Sequence, residues 1–491
     1  MKVTFVYYDA TKKTGNAGAF GISILSAILK KAGYKVSLIH LNSDISKKRF
    51  YKTLKEENAD IYGFTAISLV YPTIKKYCKW LKEAFPRKFC VIGGLHAMLK
   101  PEECIEDFDA VCIGEGENCF LELVKKIEKN KSYYNVKNFW FKRKKSKNTE
   151  IIKNERLPLI EDIDNIPFPD RELWDYYALT DYKDGKRLTF MASRGCPYNC
   201  TYCFNHNIRE LFPNKQKWCR FRDPKKIVQE IKEVLKRYPP LKGDTYTEIK
   251  FYDDTLIQNK EWFDRLCKEY LAANINIPLN INIRANELTE ELVKKFKKIG
   301  IYRVEIGIES GNTFIRNKIM KRFMTNKQIF DAFRLCNEYG IQTSSFNILG
   351  MPFETIKMML DTIKINVLAK STWQYAFVFQ PFPDTVSWNM CKEYGFLTDK
   401  INTSLFDDSP IACPYFNSEE SKFIQLYFRK LIALYRLKLF WPIFDLFITK
   451  KLIPFGLLIQ LSPILNWKEY IAEHHPNIAK QLRKWRFWKK Q

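Results

Sequence analysis

Short apolar runs alternate with amphipathic stretches from the first residue onward. Residues 3–8, 35–41, 60–67, 89–93 and 110–114 form compact, partly β-branched runs, and 22–32 and 73–85 between them repeat apolar residues at helical spacing. Such alternation predicts an open parallel α/β sheet over residues 1–135. Gly93-Gly94 and Gly114-Glu115-Gly116 close the fourth and fifth runs, at the strand ends where sheets of this kind bind ligands. No G-x-G-x-x-G fingerprint accompanies them, so a nicotinamide dinucleotide is not predicted.

The pattern breaks over 136–187. A hairpin with the basic tip Lys142-Arg143-Lys144-Lys145 leads into a stretch marked by Pro158, Pro167 and Pro169, which predicts a connector and places the domain boundary there. A second alternation fills 188–390, with strands predicted at 188–193, 248–252, 279–283, 302–308, 343–349 and 374–379. One helix between them, 223–238, opens on Asp223 as N-cap with Pro224 behind it. Another, 325–339, opens on a Thr325/Gln328 capping box and stops at Gly340. Six βα units in succession predict a partial TIM-type (β/α)6 barrel. Residues 391–491 predict a mainly helical, basic and aromatic-rich region. Its apolar runs, 439–448 and 452–465, are broken by Pro442, Asp445, Lys450-Lys451, Pro454 and Pro463. Neither reaches the ~18–20 unbroken apolar residues of a spanning helix.

Composition narrows the function classes. Of 491 residues, 46% are hydrophobic and 28% charged, which excludes a disordered chain, a collagen-like fibre and a polytopic membrane protein. The net charge of +26 fits either nucleic acid or an anionic membrane surface. It is unevenly spread: 421–491 holds 14 Lys or Arg against 3 Asp or Glu and ends by interleaving cations with Trp485, Phe487 and Trp488. Broken apolar runs with Lys, Arg and Trp point to peripheral contact at the inner membrane surface, beside the plainer reading of a cap over the barrel mouth. No RNA or DNA module is recognisable, which disfavours nucleic acid. The N-terminus reads as a strand and not an export signal, so a cytoplasmic protein with its 13 cysteines reduced is expected.

The chemistry centres on Ser193-Arg194-Gly195-Cys196-Pro197-Tyr198-Asn199-Cys200-Thr201-Tyr202-Cys203. Three thiols at C-x3-C-x2-C follow a predicted strand in a loop opened by Gly and Pro. Thiolates so spaced can wrap one face of a cubane iron–sulfur cluster and leave one iron open, the mark of a catalytic centre. A zinc site completed by His206 or Cys219 is the alternative these residues leave open.

Cys196, Cys200 and Cys203, with Tyr202 before the last, resemble the signature of the radical S-adenosylmethionine (SAM) enzymes. The likeness continues at each later strand end: Phe251-Tyr252-Asp253-Asp254, Asn282-Ile283-Arg284-Ala285, Gly307-Ile308-Glu309-Ser310-Gly311 and Asn347-Ile348-Leu349-Gly350-Met351-Pro352. It closes on Gln380-Pro381-Phe382-Pro383-Asp384, where Asp384 replaces a usual glycine. The resemblance implies a [4Fe-4S] cluster on Cys196, Cys200 and Cys203, and SAM bound by Tyr202, Asp253, Asp254, Arg284, Glu309, Ser310 and Gly350. It further implies reduction by a donor such as flavodoxin or ferredoxin. Cleavage of SAM then gives methionine and a 5′-deoxyadenosyl radical, which abstracts hydrogen from an unactivated carbon.

A sheet domain ahead of such a barrel resembles the cobalamin-binding branch of this family. The matching residues are Thr65-Ala66-Ile67-Ser68-Leu69, Val91-Ile92-Gly93-Gly94-Leu95-His96, Ile113-Gly114-Glu115-Gly116-Glu117 and the linker Ile166-Pro167-Phe168-Pro169-Asp170. Cobalamin is implied, with Ser68, Gly93, Gly94 and Gly114 beside it; the D-x-H-x-x-G motif that supplies a cobalt ligand elsewhere is missing, since residues 9–15 hold no histidine. The resemblance as a whole implies cobalamin-dependent methylation of a small or lipid-like substrate. Radical cyclisation or carbon–carbon rearrangement without methyl transfer is the alternative within the family. A zinc-stabilised nucleic-acid-binding protein is the alternative from another class.

Overall fold

The computed structural model describes residues 1–9, 19–145, 148–182, 185–400, 402 and 407–450. Two seven-stranded sheets organise them. In the first, β1 (Lys2–Tyr8), β2 (Lys35–Leu41), β3 (Ile61–Thr65), β4 (Phe89–Gly93) and β5 (Ala110–Cys112) lie parallel in the order β2-β1-β3-β4-β5, flanked by helices on both faces. The hairpin expected in the connector is β6 (Phe139–Lys144) and β7 (Thr149–Lys153), and it extends this sheet antiparallel beside β5. The sheet therefore continues past residue 135. The reason lies in the alternation of β6, which sends Phe139 and Phe141 into the core, both fully buried.

The second sheet has the order β16-β15-β14-β13-β12-β9-β8, so among the described residues β16 and β8 are its edge strands and the barrel is open. Its strands are β8 (Asp181–Tyr182), β9 (Gly185–Phe190), β12 (Tyr246–Phe251), β13 (Leu279–Ile283), β14 (Ile301–Glu309), β15 (Gln342–Leu349) and β16 (Trp373–Val378), all parallel from β9 onward. Between β9 and β12 lies a separate two-stranded ribbon, β10 (Ser193–Arg194) with β11 (Arg220–Phe221). The first barrel strand stops at Phe190, earlier than the apolar run predicts, because the Ala192 amide turns to the Asp253 carboxylate at 3.1 Å and leaves the ladder. The predicted caps stand where expected. Asp223 accepts from the Lys225 amide ahead of the helix Pro224–Arg237, and Thr325 and Gln328 form the capping box of Asn326–Glu338.

The barrel interior has two unlike walls. On β12, β13 and β14 the inward positions are polar. Buried Lys250 reaches Glu305 at 2.8 Å and Asn282 at 2.6 Å, and Asn280 donates to Glu248 at 3.2 Å. On β15 and β16 they are aromatic, with the Phe346 ring parallel to those of Tyr375 and Phe377 within 19° and 5°. Asp384, in place of the usual glycine, takes φ = 63° and so preserves the turn, as short polar side chains can. Its carboxylate also receives Lys100 of the N-terminal domain at 2.7 Å.

Beyond the barrel, Ser418–Leu426, Phe428–Tyr435 and Trp441–Lys450 are helices, and the first two pack beside β16. Among the described residues no helix is long and apolar enough to cross a membrane. The predicted apolar run 452–465 and the basic terminus lie outside the described residues. So does most of the segment 9–15.

Candidate active site between two cavities

The cysteine loop leaves β10 through Gly195, whose φ of +87° no other residue adopts easily. Added bulk there would collide with the Trp218 carbonyl oxygen, 2.4 Å from an ideal Cβ. On its far side the loop is tied to the barrel: Thr201 donates from its hydroxyl to the Ile319 carbonyl at 2.7 Å and from its amide to that of Met320 at 3.1 Å. Between these anchors Cys196, Cys200 and Cys203 face a cavity of ≈ 580 Å³ inside the barrel mouth. Tyr202, Asp254, Arg284 and Glu309 line it too, with Lys250 and Glu305 at its polar wall and Phe346, Phe377 and Phe379 at its apolar one.

Cys200 is the electrostatic centre of the loop. Its sulfur receives Arg284 Nη1 at 3.4 Å and Arg322 Nη1 at 3.7 Å. Arg284 also stacks 3.6 Å over the Tyr198 ring, and Arg322 holds the Tyr202 hydroxyl at 2.9 Å and Glu309 at 3.4 Å. Arg322 escaped the sequence reading, since it comes from an irregular segment with no motif of its own. Burial pushes the Cys196 and Cys203 thiols up to about 12, so thiolates here require positive charge brought to the site. An iron cluster supplies that charge, and the donor set fits it. Among the described residues no three or more His, Cys, Asp or Glu gather closely enough for one metal ion. Cluster ligands have no such need, because each binds a different iron.

Three of the sequence-predicted SAM residues lie elsewhere. Asp253 faces away from this cavity, accepting from Ala192 and Ser193, and burial pushes it up to about 6. Ser310 is fully buried behind the β14 end, where its carbonyl receives the buried Arg316 at 2.8 Å. Gly350 (φ = +79°) sits against Phe416 and gives its amide to Glu354 at 2.7 Å.

A second cavity, ≈ 430 Å³, opens between the N-terminal sheet and the barrel. Gly93, Gly94 and Gly114 line it together with Gly63, Thr65, Arg194 and Asp253. A Cβ at Gly94 would stand 2.6 Å from the Thr65 hydroxyl, and one at Gly114 would stand 2.5 Å from Asn138. Close packing against Thr65 and Asn138 therefore admits only glycine at these two positions, and their backbone forms part of the cavity wall. Ser68 is turned away, its hydroxyl 3.0 Å from His96 Nδ1. Asn205, Tyr252 and Asp254 line both cavities, and Asn205 donates to Asp254 at 3.1 Å across their common wall.

Residues 191–365 match the radical SAM superfamily model and residues 11–124 match the B12 binding domain model. The chain is 28% identical over 377 residues to an uncharacterized methyltransferase of Pyrococcus horikoshii, covering 75% of this chain and 77% of that protein. It is 24% identical over 428 residues to the anaerobic magnesium-protoporphyrin IX monomethyl ester cyclase of Rubrivivax gelatinosus, covering 83% and 74%. Its fold is similar to that of the radical SAM methyltransferase TsrM of Kitasatospora setae, solved with cobalamin and a [4Fe-4S] cluster. There the TM-score is 0.61 at 15% identity, over 80% of this chain and 75% of that one. The chain therefore carries a radical SAM superfamily domain, with a B12 binding domain ahead of it. Its cofactors are a [4Fe-4S] cluster, SAM and cobalamin, and the zinc reading falls away.

Proposed function

We propose that this enzyme methylates an unactivated carbon in a cobalamin-dependent radical reaction. The observation that carries this is the common wall. The thiol-lined cavity and the glycine-lined one share Asn205, Tyr252 and Asp254, so that a group in either lies one side chain from the other. When bound, the cluster and SAM supply a carbon-centred radical and methylcobalamin supplies the methyl group. The chain's own residues hold and orient. Cys196, Cys200 and Cys203 ligate the cluster, and Arg284 and Arg322 offset negative charge at Cys200. Tyr202, Asp254, Arg284 and Glu309 hold SAM directly, while Asp253, Ser310 and Gly350 shape the strand ends behind it. Gly93, Gly94 and Gly114 receive cobalamin, and Ser68 steadies that edge through His96.

The substrate is small or lipid-like, resting on the aromatic wall of Phe346 and Phe377; a flavodoxin or ferredoxin supplies the electron. The working division is 1–135 with the 136–187 hairpin and linker attached, a barrel over 188–390, and the helical region 391–491. Radical cyclisation is the second reading, favoured by the Rubrivivax gelatinosus relative being named a cyclase. Product analysis separates the two: methylation releases S-adenosylhomocysteine beside 5′-deoxyadenosine, whereas cyclisation releases no S-adenosylhomocysteine.

Peripheral membrane contact belongs to the same proposal. Leu439 and Phe440 on the turn Lys438–Phe440, and Ile443 and Leu446 on the helix Trp441–Lys450 that follows, are exposed beside Arg436 and Lys438, with Leu439 85% accessible, while Trp441, Phe444 and Ile448 of that helix pack inward. Such a two-sided helix suits an anionic lipid surface. The variant Leu439→Glu/Ile443→Glu is expected to lose cosedimentation with vesicles containing phosphatidylglycerol. Binding equal to wild type would rule this face out.

A further inference from the structure

The β10–β11 ribbon contains a conflict that only the N-terminal domain resolves. Arg194 and Arg220 are register partners, directly opposite each other on adjacent strands. Like charges so placed destabilise a strand pair. One carboxylate bridges them: Glu115 Oε1 accepts from Arg194 and Oε2 from Arg220, each at 2.8 Å, across 79 and 105 residues of sequence. The second oxygen also takes the amide of Ile160 in the linker at 2.7 Å, and Glu117 takes the other Arg194 nitrogen at 2.5 Å. Arg220 and Glu115 are 6% and 10% exposed, so water screens these charges little. The two arginines hold the Glu115 carboxyl below the usual carboxylate range despite its burial.

What the carboxylate joins gives it meaning. Glu115 follows Gly114 on the loop that lines the interdomain cavity, and Arg194 stands two residues before Cys196. We propose that Glu115 is a positioning residue that locks the cobalamin edge to the cluster loop and so fixes the separation of cobalt and cluster. This rests on the function proposed above. Docking of the N-terminal domain completes the ribbon, and the completed ribbon holds the near end of the thiol loop. The far end is held independently through Thr201. Without Glu115 the cluster would therefore stay bound while its placement relative to cobalamin loosens.

The test is pulsed dipolar EPR between cob(II)alamin and the reduced cluster, with aqua-cobalamin titration and iron analysis alongside. In wild type a single narrow distance is expected. Glu115→Gln keeps the shape and removes the charge; it is expected to retain its iron, to bind aqua-cobalamin about tenfold more weakly and to show a broadened distance distribution. Glu117→Gln, which loses a contact to Arg194 alone, is expected to show a smaller change in the same direction. Wild-type affinity and a wild-type distance in Glu115→Gln would overturn the proposal. If that variant does not fold, Arg220→Gln carries the same test, and an unchanged distance there overturns it equally. A wild-type protein that binds no cobalamin would instead overturn the proposed function, and this inference with it.

Discussion

Cys200→Ala, purified anaerobically and reconstituted with iron and sulfide, is expected to hold no intact cluster and to form no 5′-deoxyadenosine above background. Cys200 is the most enclosed of the three thiols, 6% exposed, and the only one with two guanidinium groups on its sulfur. Removing it takes away one of three iron ligands and leaves Arg284 and Arg322 facing each other across an emptied position. Those two buried cations, with Arg284 also donating to the Arg322 carbonyl at 2.6 Å, would lose the sulfur that both of them contact. Full iron content with normal 5′-deoxyadenosine formation in this variant would refute the assignment of the loop.

Lys250→Met is expected to destabilise the barrel by about 3–5 kcal/mol, the cost of breaking a buried ion pair by removing one partner. Lys250 is 3% exposed, and its ammonium spends its three protons on Glu305, Asn282 and Asn280. Methionine fills the volume but leaves Glu305 without a cation on the polar wall. Chemical denaturation should show a lower midpoint with an unchanged slope. The double variant Lys250→Met/Glu305→Gln should recover much of the loss, because both charges go together. A single variant as stable as wild type would show that the polar wall is not held by this pair.

Local signals were the legible ones. The thiol loop, the Asp223 and Thr325 caps and the strand runs of both sheets depend on residues a few positions apart, and a single sequence carries them openly. Asp384 belongs here too, since aspartate tolerates the left-handed turn that glycine makes cheaply. Long-range pairings were not legible. The hairpin 139–153 reads as connector because nothing local says that β6 pairs antiparallel with β5. Arg322 reaches Cys200 across 122 residues, and Glu115 reads as part of a glycine loop until Arg194 and Arg220 meet it. Ser68 matches a ligand-edge motif, but its hydroxyl finds His96 first.

The proposed reaction leaves a signature in its products. Reconstituted enzyme with cobalamin, SAM, a low-potential reductant and a cell extract as the source of substrate should release 5′-deoxyadenosine and S-adenosylhomocysteine in comparable amounts. A compound from the extract should then gain the methyl group of labelled SAM. Formation of 5′-deoxyadenosine with neither S-adenosylhomocysteine nor label transfer, in enzyme shown to hold cobalamin, would contradict methyl transfer and leave radical cyclisation in its place.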